Sequence, residues 1–178
     1  MIRDIQEVDD DIVRAKRKIK QRLINDPDVI EALDNPSLNP EEPDAYMYVN
    51  IFDYIKIPGA TTEKLNFITF DIKQENILTS NDYMKQNTYL FTVIVYEDKV
   101  VTKYGMSRVD LLSYLIRDLF NYSNCVGTRL ILYQNSPAIT DGYWISRTLS
   151  FKEITPNSPY KGRLVNAYDE RMKVKADA

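Results

Sequence analysis

The feature that most constrains the fold is the apolar pattern of residues 105–123, which read GMSRVDLLSYLIRDLFNYS. Ser107, followed three residues later by Asp110, is a variant of the capping box that marks a helix start. After this cap, apolar side chains recur at helical spacing: Val109, Leu112, Leu115, Ile116, Leu119 and Phe120. Because so broad a stripe must be buried against a second layer, the pattern predicts a core helix.

The charged residues of this helix allow two interpretations. Arg108, Arg117 and Asp118 lie opposite most of the apolar stripe, either as a solvated or interface face or as a catalytic site. The first interpretation is favoured because a surface helix of this kind ordinarily carries charge on its outer side. We therefore predict that Arg117 and Asp118 contact a neighbouring subunit or partner.

Two further helices are predicted near the N-terminus. Residues 6–24 carry an apolar stripe formed by Val8, Ile12, Ala15, Ile19 and Leu23. The basic cluster on the same helix reads as a solvated face rather than a phosphate site, since no aromatic residues interleave with it. In NDPDVIEALDN, Asp26 is a predicted cap and Pro27 the first residue of a short second helix.

The remaining patterned segments predict five strands. Residues 46–57 and 65–73 read as an antiparallel pair, and residues 88–97 as a third strand with Phe91, Val93 and Val95 facing inward. Residues 128–134 and 143–153 read as the last two strands. Loops are predicted over 35–44 and 135–142, and the polar stretch 74–87 as a long connection, either disordered or reaching outside the domain.

One charged side chain in the last predicted strand stands out. Arg147 is in phase with four apolar residues, Tyr143, Ile145, Leu149 and Phe151. A guanidinium on an apolar face needs an acceptor, so we expect a carboxylate or several carbonyl oxygens near it, from this chain or from another subunit. Otherwise the register is wrong by one residue, and Trp144, Ser146, Thr148 and Ser150 face inward.

The order of these elements predicts an α+β fold, with a mostly antiparallel sheet of about five strands and helices packed on one face. We expect residues 1–154 to form a single domain that includes the N-terminal helix. Residues 155–178 have little apolar periodicity and are predicted to form an extended C-terminal tail.

Composition excludes several kinds of chemistry. The 178 residues contain no histidine, which excludes Ser-His-Asp and Cys-His catalysis and imidazole zinc sites. The single cysteine, Cys125, has no activating histidine and is interpreted as a bystander. There is no glycine-rich phosphate loop, and a net charge of −3 argues against broad binding to a nucleic-acid backbone. We expect no cofactor, no metal and no enzymatic activity.

One set of residues allows a catalytic alternative, a magnesium-dependent nuclease. Asp44, Asp71 and Lys73 resemble the sparse pattern of magnesium-dependent PD-(D/E)xK nucleases. In the predicted antiparallel pair, however, Asp71 lies opposite Asn50, about six residues or ~20 Å from Asp44. Ligands of one ion cannot be so far apart, so a nuclease is the least favoured function.

The chain has thirteen tyrosines, an excess for its length. Seven of them fall in predicted strands: Tyr46, Tyr48, Tyr54, Tyr89, Tyr96, Tyr133 and Tyr143. Tyrosine suits surfaces that are both apolar and wet, as subunit interfaces are, although any single one can simply line the sheet. Their number favours assembly over monomeric catalysis.

The order of elements and several stretches resemble small neck proteins of long-tailed bacteriophages, above all the tail terminator or tail-completion proteins. The resemblance spans about residues 10 to 152. The stretches that carry it are DIVRAKRKIKQRLINDPDVIEAL, YVNIFDYIKIPGATTEKLNFITFDI, GMSRVDLLSYLIRDLFN, GTRLILYQ and YWISRTLSFKE.

This resemblance implies an α+β subunit of a structural, six-membered ring that caps the tail tube. Its partners would be the tail tube protein and the head-side connector or stopper protein. DNA would pass through such a ring without specific binding. The protein would be made in the host cytoplasm and would be located at the virion neck. No membrane segment is expected in its sequence. Another neck component, a stopper or head-completion protein, is the alternative.

Overall fold

The computed structural model describes residues 11–56, 64–75, 84–138 and 142–156. They form three helices, α1 (Asp11–Ile24), α2 (Pro27–Leu33) and α3 (Arg108–Phe120), and five strands, β1 (Ile51–Phe52), β2 (Phe67–Glu75), β3 (Met84–Tyr96), β4 (Ile131–Ala138) and β5 (Trp144–Pro156). None of the described helices is long and apolar enough to cross a membrane.

Helices α2 and α3 begin where the sequence predicts, whereas the predicted start of the first helix at residue 6 lies outside the described residues. Asp26 caps α2 by accepting a 3.0 Å hydrogen bond from the Val29 backbone N–H, with Pro27 at the first turn. Ser107 caps α3 by accepting from the Asp110 N–H at 3.1 Å. Each cap satisfies a backbone donor that has no partner inside its helix.

The apolar stripes of α1 and α3 face the core, as predicted. The fully or almost fully buried members are Ala15, Ile19, Leu23, Val109, Leu112, Ile116 and Phe120. Ile12, Leu115 and Leu119 are partly buried against the same core. Val8, the first residue of the predicted α1 stripe, lies outside the described residues.

The five strands form one sheet in the order β1-β2-β3-β5-β4. The β2–β3, β3–β5 and β5–β4 pairs are antiparallel. Phe91, Val93 and Val95 of β3 are completely buried, which confirms their predicted inward direction. Val93 belongs to the same core as Leu112 and Ile116 of α3. The predicted α+β class, mostly antiparallel with helices beside the sheet, is therefore confirmed.

The predicted antiparallel pairing of residues 46–57 with 65–73 is wrong. Only Ile51 and Phe52 form a strand there, and they pair with Ile68 and Thr69 in parallel. Tyr46 lies instead in a short 3₁₀-helix, Pro43–Tyr46.

A buried asparagine network holds this parallel strand in place. Asn35 donates its side-chain N–H to the Asn50 Oδ1 at 2.7 Å, and Asn50 donates to the Asn66 carbonyl at 2.8 Å. Asn66 in turn donates to the Leu33 carbonyl at 2.8 Å. Because all three side chains are buried, their hydrogen bonds must be made inside the protein, which ties the end of α2 to the start of β2.

Two predicted loops are shorter than expected. Gln74 and Glu75 of β2 pair with Asn87 and Gln86 of β3, whereas Met84 and Lys85 pair with Pro156 and Thr155 of β5. The remainder of the 74–87 stretch lies outside the described residues. Similarly, β4 continues through Ala138, so only the end of the predicted 135–142 loop separates β4 from β5. Backbone pairing with the neighbouring strand outweighs the polar composition of both segments.

The sheet has a second, smaller apolar cluster beside the main core. Phe52, Phe67, Ile94 and Trp144 form it, flanked by Leu65 and Tyr96. The neighbours of these residues along β2 and β3, such as Ile68 and Val93, point into the main core. Since side chains alternate along a strand, the smaller cluster lies on the opposite face of the sheet.

Candidate functional site

Arg147 has the carboxylate partner that its position demands. Its guanidinium lies 2.9 Å from Oδ1 of Asp110, in the first turn of α3. A second nitrogen donates to the Asn135 side chain of β4 at 3.3 Å. Arg147 therefore joins α3, β4 and β5 within one chain. The Nε atom of Arg147 is buried and has no hydrogen-bond partner among the residues that the structure describes.

The neighbours of Arg147 settle the register of β5. Leu149 and Phe151 are completely buried on its side of the strand, as predicted. Tyr143 and Ile145, by contrast, are 63% and 43% exposed, and Tyr143 precedes the strand. The predicted inward set is thus correct from Arg147 onward and wrong before it. The smaller apolar cluster buries Trp144 on the other side.

The other two predicted contact residues lie at the surface. Arg117 and Asp118 are exposed on α3. The Arg117 guanidinium stacks 5.3 Å from the ring centre of Tyr114, one turn earlier on the same helix. No contact among the described residues joins either side chain to Arg147, so the three do not form one site.

The prediction that Arg108 lies on the solvated side of α3 is wrong. Arg108 is only 9% exposed. Its guanidinium pairs with Asp34 at 2.9 Å and donates to the carbonyls of Lys99 and Ala32, each at 2.7 Å. All three guanidinium nitrogens thus have acceptors, which come from separate segments of the chain and make Arg108 a structural anchor between α2 and α3.

Two residues of the nuclease-like pattern, Asp71 and Lys73, have other partners. Asp71 pairs with Lys16 of α1 at 2.6 Å, and Lys73 pairs with Glu75 at 3.4 Å. The antiparallel register that separated Asp44 from Asp71 does not exist, so that geometric argument falls away. Over the described ranges, no three carboxylate or thiol side chains come together as a possible metal site.

A polar cavity that sequence reasoning missed lies between α1 and the ends of β3 and β5. Its volume is about 310 Å³, and its walls include Arg14, Lys18, Asn87, Tyr89 and Glu153. At its base Glu153, 4% exposed, accepts hydrogen bonds from the Tyr89 hydroxyl at 2.5 Å and from the Thr128 hydroxyl at 2.7 Å. The sequence did carry a signal for this cavity, since Glu153 lies on the same side of its strand as the inward-facing Leu149 and Phe151.

The electrostatics of this cavity follow from burial. Desolvation, reinforced by the hydrogen bond and negative charge of Glu153, raises the pKa of the Tyr89 hydroxyl far above its usual value. Tyr89 therefore stays protonated and donates. The loop residue Thr128 also donates its backbone N–H to Glu153 at 2.9 Å. The cluster therefore holds the loop after α3 against β5.

Most of the described tyrosines are at the surface. The exposed ones are Tyr48, Tyr54, Tyr104, Tyr114, Tyr122, Tyr133 and Tyr143, whereas Tyr46 and Tyr89 are buried. Of the seven tyrosines assigned to strands, only Tyr89, Tyr96 and Tyr133 lie in one. Tyr133 projects from the edge strand β4, 66% exposed, with the Lys152 ammonium 3.6 Å from its ring centre.

Comparison with known proteins places this fold in a family. Residues 19–153 match the model of the YomW family, from the middle of α1 almost to the end of β5. No curated protein matches the chain. Membership of this family indicates a phage-related protein. This agrees with the resemblance of the sequence to bacteriophage proteins. Because the match covers well over half of the sequence, the chain belongs to the YomW family.

Proposed function

We propose that this protein is a structural subunit of a homomeric ring at the neck of a long-tailed phage, where it terminates the tail tube and joins it to the head-side connector. Membership of a phage-related family supports the setting. The resemblance of the helix and strand segments to tail terminators supports a place at the neck, where a stopper or head-completion protein is the alternative. In this role the protein needs no catalytic group and no cofactor.

The observation that carries the proposal is the open edge of the sheet at β4. Within the described ranges this strand has a neighbour, β5, on one side only, and its eight residues include no charge. Tyr122, Ile131 and Tyr133 are 66%, 50% and 66% exposed there. We call these three residues the β4 patch.

Such an edge is unusual for a protein that remains alone. Natural proteins commonly protect edge strands with charged side chains, because an unpaired edge recruits other strands. In this chain, Pro137 and a bulge between Leu132 and Gln134 interrupt the edge, and the Lys152 ammonium lies over the Tyr133 ring, yet the side chains of the β4 patch stay at least half exposed. Tyrosine and isoleucine in such a patch fit an interface that is buried when subunits assemble.

A ring also suits the DNA that would pass through it. Ring interfaces are heterologous, so one patch on each copy meets a different patch on the next. Six copies with a charge of −3 each would carry about −18, which disfavours binding of the phosphates during passage.

A reconstruction of the phage particle that contains this protein tests the proposal. We expect six copies in a closed ring between the tail tube and the head-side connector. Native mass spectrometry of the purified protein should show a hexamer of about 125 kDa, six times the chain mass of 20.8 kDa. A ring one level higher would identify a stopper instead. A strict monomer that is absent from the neck would contradict the proposal.

A further inference from the structure

The outward face of α1 is strongly basic. Its exposed positions follow helical spacing i, i+3, i+4, i+7 and i+8, and they hold Arg14, Arg17, Lys18, Gln21 and Arg22. We call these five residues the basic face of α1. The opposite side of the helix is used by the core, through Ala15, Ile19 and Leu23. The helix therefore has no apolar side left to insert into a lipid surface.

The charges on this face are not balanced locally. Arg14 pairs with Asp11, but Arg17, Lys18 and Arg22 have no ion pair or hydrogen bond through their side chains within the described part of the chain. Like charges at spacing i, i+4, such as Lys18 and Arg22, destabilise a helix. A solvated face usually mixes signs, so the arrangement indicates an acidic partner.

The segment that follows α1 is acidic. Residues 25–46 contain no lysine or arginine and carry these acids: Asp26, Asp28, Glu31, Asp34, Glu41, Glu42 and Asp44. Glu41, Glu42 and Asp44 are exposed on the loop 39–44, which we call the acidic loop. Among the described residues no cation contacts these three side chains. Within one copy, therefore, no ion pair of the described residues joins the basic face to the acidic loop, although the two are close in sequence.

The shape beside the basic face suits a protruding loop. An open depression of about 520 Å³ lies along Lys18, Gln21 and Arg22, bounded by Leu119 of α3 and by Cys125. The only acid in its wall is Asp26, whose carboxylate caps α2. An acidic side chain entering the depression would meet free cations.

We propose that the basic face of α1 docks the acidic loop of a neighbouring copy of this chain. Charge complementarity selects this occupant, because the chain itself exposes the acidic surface that the basic face requires. The contact joins two different patches and is therefore heterologous, as closure of a ring needs. This inference rests on the proposed ring.

Charge reversal tests the contact. In variant A, Lys18→Glu and Arg22→Glu make the basic face acidic; in variant B, Glu41→Lys and Glu42→Lys make the acidic loop basic. Each variant alone should associate about tenfold or more weakly than the wild type in analytical ultracentrifugation, because both partners then repel. An equimolar mixture of A and B should recover assembly, since an alternating ring has complementary charges at every contact.

Matched controls carry the same charge change elsewhere. Lys64→Glu with Lys103→Glu mirrors variant A, and Glu97→Lys with Asp98→Lys mirrors variant B; these four side chains are exposed. The controls should assemble like the wild type. If variant A unfolds, Lys18→Gln with Arg22→Gln replaces it, and weakened assembly is still expected.

The outcomes separate this inference from the proposed function. If variants A and B form rings as well as the wild type does, the docking contact is overturned and the proposed ring remains in place. A wild type that forms no ring, in solution or in the particle, overturns both. Loss of binding to a 30-base-pair DNA duplex in variant A, with assembly unchanged, would assign the basic face to nucleic acid and also overturn the docking contact.

Discussion

Arg147 of β5 and Asp110 of α3 form an ion pair of 2.9 Å that links the start of the core helix to the sheet. The two side chains are 29% and 52% exposed, so water screens the pair substantially. Asp110 also accepts a hydrogen bond from the Ser107 hydroxyl at 2.6 Å. The pair therefore positions the helix start more than it stabilises the fold.

The first prediction concerns this pair. In a double-mutant cycle of Arg147→Ala and Asp110→Ala, the coupling free energy should be about 0.5–1 kcal/mol, as for other partly exposed pairs. Urea unfolding of the four proteins measures it. A coupling above about 3 kcal/mol would mean that the pair behaves as a buried ion pair.

The second prediction concerns the packing of α3. Leu112 and Ile116 are completely buried in the core, so Leu112→Ala or Ile116→Ala should lower the free energy of unfolding by about 2–5 kcal/mol. Asp118→Ala on the exposed side of the same helix is the control, with a change within about 0.5 kcal/mol. Thermal and denaturant unfolding measure both. A loss below 1 kcal/mol in both core variants would contradict the packing.

The third prediction concerns pH. The pKa of Tyr89 is raised by burial and by Glu153, so above pH 10 the unfolded chain loses this proton while the folded chain keeps it. The contribution of Tyr89 to stability is thus complete below about pH 10 and declines as the pH rises further. Tyr89→Phe should remove this part of the alkaline decline.

At neutral pH the same variant should lose about 1.5–3 kcal/mol, because Glu153 loses a hydrogen-bond donor inside the protein. Stability of both proteins measured by urea unfolding from pH 7 to 11 checks both effects. Tyr133→Phe, at an exposed tyrosine, is the matched control and should leave the pH profile unchanged. Parallel profiles for Tyr89→Phe and the wild type would refute the assignment.

The fourth prediction concerns the β4 patch. Ile131→Lys or Tyr133→Lys adds charge to an exposed edge, so each should weaken self-association about tenfold or more with little effect on monomer stability. Sedimentation and thermal unfolding separate the two effects. Ile154→Lys, at another exposed isoleucine, is the control. Normal assembly of both edge variants would remove the β4 patch from the interface.

Local pattern was enough to predict the elements that depend on near neighbours. The caps at Asp26 and Ser107 act over three residues, and the stripes of α1 and α3 arise from helical spacing alone. The alternation in β3 likewise identified Phe91, Val93 and Val95 as buried. Since these signals lie within one element, the sequence by itself determined the helices, the central strand and the α+β class.

The features that depend on contacts between residues far apart in sequence are visible only in the tertiary structure. The parallel direction of β1 follows from Asn35, Asn50 and Asn66, whose hydrogen bonds join three segments of the chain. Arg108 is buried because Ala32, 76 residues away in sequence, supplies an acceptor, and periodicity along one helix carries no information about such an acceptor. The Glu153 cluster and the partner of Arg147 arise in the same way. A buried polar group must find its partner wherever the folded chain brings one, so only the three-dimensional arrangement determines which charged residues are anchors and which remain at the surface.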